Sequence, residues 1–147
     1  MKKYLVILLA LFTTLAGVAC SKSTTDGQSS TGSPSTGTPI ATVTVNNLTA
    51  TVSNNTGHLK SGDQELTLAF TDSAGKTVDV GAVSLNFHMP AMGSMAAMHN
   101  AVTLTTTSTP GVYNGKVNIE MAGEWQGQLA YEGPAGKGKA TFSVTAR

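Results

Sequence analysis

The chain has few of the groups that cross-link a fold or carry covalent chemistry. A single cysteine in 147 residues permits no intrachain disulfide, so the fold must be held by its core. Charged residues are 12% of the chain, nine basic against eight acidic, which leaves no basic surface to neutralise phosphates and makes nucleic acid an unexpected partner. Aromatic residues are 5%, and the one tryptophan, Trp125, is expected to be the largest single piece of core. Beyond the N-terminal segment no apolar run has helical period, and no internal repeat is detectable. The acids Asp63, Glu65, Asp72, Asp79, Glu120, Glu124 and Glu132 are scattered over turns and outward strand positions. With no Ser/His/Asp arrangement and no phosphate-cradling glycine loop, the sequence predicts a protein that is not an enzyme.

The first residues predict export. Lys2 and Lys3 form a positive start, residues 4–15 are almost unbroken apolar, and Ala16, Gly17, Val18 and Ala19 precede Cys20. The run is too short to cross ~30 Å of hydrocarbon as a stable helix, so it reads as a signal peptide. The segment resembles a bacterial lipobox, with Gly17 where that pattern usually has Leu. The resemblance implies diacylation of the Cys20 thiol, cleavage before it, and a membrane partner reached through the lipid. Loss of residues 1–19 removes two lysines and leaves seven basic against eight acidic residues, a net charge of −1. Residues 21–39 contain only Ser, Thr, Gly, Pro, Lys, Asp and Gln. Such a stretch has no apolar surface to offset its ordering entropy, and as a coil it would reach roughly 20–25 Å on average. The predicted organisation is therefore a signal peptide at 1–19, a lipidated cysteine with its flexible tether at 20–39, and a domain at 40–147. The expected location is extracytoplasmic, lipid-anchored to a bacterial membrane. Ser21, rather than Asp, after the cysteine points to the periplasmic side of the outer membrane where the envelope has two membranes.

Residues 40–147 read as all-β. Thr, Val, Gly and Asn are abundant, and apolar residues alternate with polar ones at period two. Seven strands are expected, near 41–52, 64–71, 77–89, 101–107, 111–121, 124–132 and 138–146, and that number in about a hundred residues predicts an immunoglobulin-like β-sandwich. Parity assigns the faces: Val83, Leu85, Phe87 and Met89 inward against Ser84, Asn86 and His88, and Tyr113, Val117, Ile119 and Met121 inward against Asn114, Lys116, Asn118 and Glu120.

Residues 88–99, HMPAMGSMAAMH, hold four of the six methionines and two of the three histidines. Pro90 should end the preceding strand near Met89. Residues 91–99 then form either one or two helical turns, which would bring Met92, Met95 and His99 to one side, or an irregular loop. Thioether sulfur is a soft ligand without a proton to lose and suits Cu(I), imidazole suits both copper states, and thioether is a poor zinc ligand. Such a cluster on an exported domain fits copper, Cu(I) before Cu(II), with Met92, Met95, Met98 and His99 as the expected ligands and His88, Met89 and Met121 as possible additions. Packing competes with this reading, since methionine fills gaps in cores, and by parity Met89 and Met121 read first as core. An exposed Met-rich patch can also bind another protein without metal. His58, alone between Gly57 and Leu59, reads as a solvated turn residue.

Residues 57–145 resemble the YtkA-like domain family, exported or membrane-attached proteins related to FixH-type proteins of copper-dependent oxidase assembly. The resemblance is carried by GHLKSGDQELTLAFTDSAGKTV, by Met89, Pro90, Met92 and Gly93 in a Met-Pro-x-Met-Gly pattern, and by Gly111, Tyr113, Met121, Gly123 and Trp125. Ser94 stands where the family often places a histidine, and His99 is the nearest downstream. The resemblance implies an immunoglobulin-like sandwich, an extracytoplasmic setting and, less directly, copper. The expected function is a membrane-anchored copper-handling module whose partner is a copper-dependent envelope protein; the alternative is a metal-independent interaction module of the envelope.

Overall fold

The structure, a computed structural model, describes residues 37–147. The signal peptide, Cys20 and the tether up to residue 36 lie outside the described residues. Nine strands succeed one another, β1 (Thr38–Val45), β2 (Leu48–Asn54), β3 (Gly62–Thr71), β4 (Ala82–Met89), β5 (Met98–Ala101), β6 (Thr103–Thr106), β7 (Val112–Ile119), β8 (Gly123–Gly133) and β9 (Gly136–Ala146), and the described residues contain no helix. They form two antiparallel sheets, ordered β1-β2-β3-β7-β6 and β5-β4-β8-β9. With β1 set aside, these are the ABED and C′CFG orders of an immunoglobulin-like sandwich.

Nine strands appear where seven are expected because one expected strand is cut in two and a further strand, β5, forms largely within the segment expected as a helical turn or loop. Within 41–52 the alternation runs straight through a turn: Val45 pairs with Leu48 around Asn46-Asn47, and Asn46 takes φ 55°. Asn tolerates that left-handed conformation, and its side chain fixes it by donating to the Tyr131 hydroxyl at 3.1 Å and the Lys137 carbonyl at 3.2 Å. The additional strand ends just before Val102, and the strand expected at 101–107 is observed as β6. β5 pairs with β4 in one sheet, β6 pairs with β7 in the other, and the Val102 N–H between them donates to the Leu85 carbonyl at 2.9 Å. The third expected strand also starts later than its apolar pattern suggests, at Ala82, because Val78 is bonded back to the Phe70 carbonyl at 3.0 Å before the chain crosses between sheets.

Parity assigned the core well. Leu66, Leu68 and Phe70 on β3, Leu85, Phe87 and Met89 on β4, Tyr113, Val117 and Ile119 on β7, and Trp125, Leu129 and Tyr131 on β8 are all buried. Phe70 lies edge-on to Tyr113 and Tyr131, with centroids 6.1 and 5.5 Å apart, a favourable aromatic geometry. Trp125 is 2% exposed, and its Nε1–H donates to the Met121 carbonyl at 3.1 Å. Two buried polar groups were invisible to parity. Asn54 accepts the N–H groups of Thr56 and Gly57 at 2.9 and 2.7 Å and donates to the His58 carbonyl, so His58 sits half-buried in a turn ordered by Asn54. Asn100, on β5, donates to the Asn118 carbonyl of β7 and so ties the edge of one sheet to the other.

Candidate functional site: a methionine and histidine rim

β4 ends at Met89, with Pro90 next. The segment between β4 and β5 is neither a helical turn nor an irregular loop but is closed by a two-residue hairpin. The Met92 N–H donates to the Met95 carbonyl at 3.1 Å, and the Met95 N–H returns to the Met92 carbonyl at 2.9 Å. Gly93 holds φ +58° at the first central position, the arrangement of a type II′ turn. The helical alignment of Met92, Met95 and His99 is thus replaced: a glycine costs about 1 kcal/mol within a helix but is favoured here, and the chain returns as β5 to pair with β4. Residues that exchange both hydrogen bonds project on the same face, so Met92 and Met95 lie side by side. They are 53% and 42% exposed, the large apolar side chains left open to solvent among the described residues.

The register of β5 on β4 sorts the remaining donors by face. Met98 pairs with Met89 and His99 with His88. Met89 is 1% exposed, and Met98 and Met121, both half-buried, pack against the same core. Gly123 lies at φ +144°, which disfavours a side chain there, and a Cβ would come within 2.9 Å of the Met89 Cε, so the end of the Met89 side chain packs directly over this backbone. These three thioethers therefore fill the end of the core, and burial of Met89 alone is worth roughly 1.5–3 kcal/mol.

On the opposite face the imidazoles of His88 and His99 are stacked, centroids 4.3 Å apart and planes inclined by 24°. His88 Nδ1 lies 3.2 Å from the Met98 carbonyl oxygen. A carbonyl only accepts, so Nδ1 is the donor in this contact, and whenever the ring is neutral the lone pair falls on Nε2. Orientation of one ring nitrogen by a backbone carbonyl is the arrangement that prepares the other for a metal. His88 also lines a cleft of about 300 Å³ with Pro90, Met92, Glu124, Trp125, Gln126 and Ser143.

The structure thus joins His99 to His88 by stacking, His88 to Met92 through a shared cleft, and Met92 to Met95 by the hairpin, and it separates Met89, Met98 and Met121 from them by the thickness of the sheet. Among the described residues no three His, Cys, Asp or Glu side chains gather in a metal-holding group, so the donors that could complete a set with the two imidazoles are thioethers. The signal that sequence reasoning missed was the hairpin chemistry of Gly93-Ser94, with Gly at the position a type II′ turn requires.

Fold and rim together define an immunoglobulin-like sandwich domain that carries soft and borderline donors on one exposed edge. The family model for YtkA-like domains matches residues 42–130, more than half of the chain, and the chain belongs to that family. No curated protein and no solved structure gives a match to the chain.

Proposed function

We propose that this domain holds copper, Cu(I) in preference to Cu(II), on its outward rim, and acts without catalysis as a lipid-anchored extracytoplasmic module that keeps or passes the ion to a copper-dependent envelope protein. The observation that carries this reading is the Nδ1 contact of His88 with the Met98 carbonyl, which leaves Nε2 as the free donor of a ring that lines one cleft with the exposed Met92. Met92, Met95, His88 and His99 are the ligands, while Met89, Met98 and Met121 shape the rim from beneath. Thioethers bind without deprotonation, so the affinity they contribute depends weakly on pH, and an exposed set suits an ion that must be handed on. Anaerobic titration with Cu(I) against a chromophoric competitor tests the reading on the full chain carrying Cys20→Ser, which removes the thiol. One-to-one binding is expected that fails when Met92 and Met95 become Leu and persists when Met121 becomes Leu; equal affinity in the Met92/Met95 variant would refute it.

A second reading, a metal-independent interaction surface, is favoured by the same exposure of Met92 and Met95. Under it, the Leu variant keeps its envelope partner in a pull-down and Met→Ser changes at both positions abolish capture.

A further inference from the structure

The five methionines of this end of the sandwich differ in their access to small oxidants. Met92 and Met95 are 53% and 42% exposed, Met98 and Met121 are half-buried against the core, and Met89 is 1% exposed. The exposed pair is fixed in place by the hairpin hydrogen bonds between residues 92 and 95, and neither side chain joins the core. We propose that Met92 and Met95 are a sulfoxidation site for hydrogen peroxide, and that their oxidation dismantles the surface donor set and releases Cu(I); the second half rests on the copper reading above.

In the reaction the thioether sulfur uses a lone pair to attack one peroxide oxygen, the O–O bond breaks, and hydroxide leaves. Hydroxide then takes the proton from the sulfur-bound oxygen, giving one sulfoxide and one water. Sulfur has lost two electrons and peroxide has gained them. The product is polar and chiral, and its exposed oxygen is a hard donor in place of a soft one, so the preference for Cu(I) is lost at both positions together. Because the two side chains lie outside the core, their oxidation introduces no polar group into it, and the sandwich keeps its fold while the rim changes character. Sulfoxide reduction restores the thioether, so the change is reversible. Oxidation of Met89, by contrast, would place a polar sulfoxide against buried side chains and destabilise the domain. The structure therefore separates a chemically sensitive pair from the thioethers on which stability depends.

The test uses the metal-free, purified full chain with Cys20→Ser, treated with limiting hydrogen peroxide and monitored residue by residue by tandem mass spectrometry. Sulfoxide is expected at Met92 and Met95 at least about tenfold faster than at Met89, with an unchanged circular-dichroism spectrum. Cu(I) affinity should then fall by at least about tenfold and return after treatment with methionine sulfoxide reductases. A second variant, Met92→Gln with Met95→Gln, imitates the polar product without oxidant and should fold while losing Cu(I). Equal oxidation of Met89 and Met92, or selective oxidation that leaves Cu(I) affinity intact, would overturn the proposal. Absence of Cu(I) binding before any peroxide is added would instead sink the copper reading, and with it the release step, while the order of oxidation is still read from the same metal-free sample.

Discussion

Met89 and Met92 are three residues apart and have opposite environments, one sealed in the core and the other open to solvent. Their substitutions should therefore separate stability from ligation. Met89→Ala is expected to cost about 2–5 kcal/mol in urea unfolding, through lost burial and the cavity left beneath Gly123. Met92→Leu combined with Met95→Leu should stay within about 0.5 kcal/mol of the parent, because neither side chain belongs to the core. Parity at period two was enough to predict the fate of Met89, whose neighbours Phe87 and Leu85 share its face. It had no hold on Met92 or Met95, which lie outside any long strand, and it left Met98 unplaced because β5 was not legible as a strand. His88 was assigned its outward face from sequence, but its stacked partner and the proton on Nδ1 come only from the register of β5 and the position of the Met98 carbonyl.

At the scale of elements, the hairpin and the short edge strand β5 are the devices that build the rim. Gly93 has no atom within 4 Å of where a Cβ would sit, so its role is conformational and not one of space. Gly93→Ala places a side chain at φ +58° and should cost at most about 1–2 kcal/mol in unfolding, while Cu(I) affinity falls because the Met92–Met95 pairing is disturbed; competitor titration and a urea curve on one sample check both. β5 has only four residues and one sheet neighbour, and Asn100 is its link to β7 across the sandwich. Asn100→Ala removes that buried hydrogen bond and should cost roughly 1–3 kcal/mol, with faster amide exchange at Met98 to Ala101 than in β4. Asn100 falls between the segment 91–99, expected as a helical turn or loop, and the strand expected at 101–107, which is why this tie was not legible beforehand.

Across the whole molecule, stability should depend on pH at the alkaline end through Tyr113. Burial raises the Tyr113 phenol above its usual value of 10.0, and the nearby Asp79 carboxylate raises it further. The folded chain therefore holds this proton more tightly than the unfolded chain does. The resulting contribution to stability is fully present below 10.0 and is lost as pH rises through the folded value. The hydroxyl also donates to the Gly81 carbonyl at 2.9 Å and so secures β7 to the crossover that enters β4. Urea midpoints measured between about pH 9 and pH 11 should fall with pH, and Tyr113→Phe should flatten that fall while lowering the plateau by about 1 kcal/mol.

Period-two patterning was sufficient to determine an all-β sandwich and the inward face of its principal strands, because which face is apolar is a local property of each strand. The collection of methionine and histidine in residues 88–99 was also plain from the chain itself. How those donors divide was decided only by the fold. A pairing register of β5 on β4 is a relation between two segments, and it alone places Met98 on the core side and His99 against His88. Shifted by one residue, β5 would turn His99 toward the core and Met98 outward, and no local pattern in so short a strand fixes that choice; it is held by the buried hydrogen bond of Asn100 and by the sheet switch at Val102.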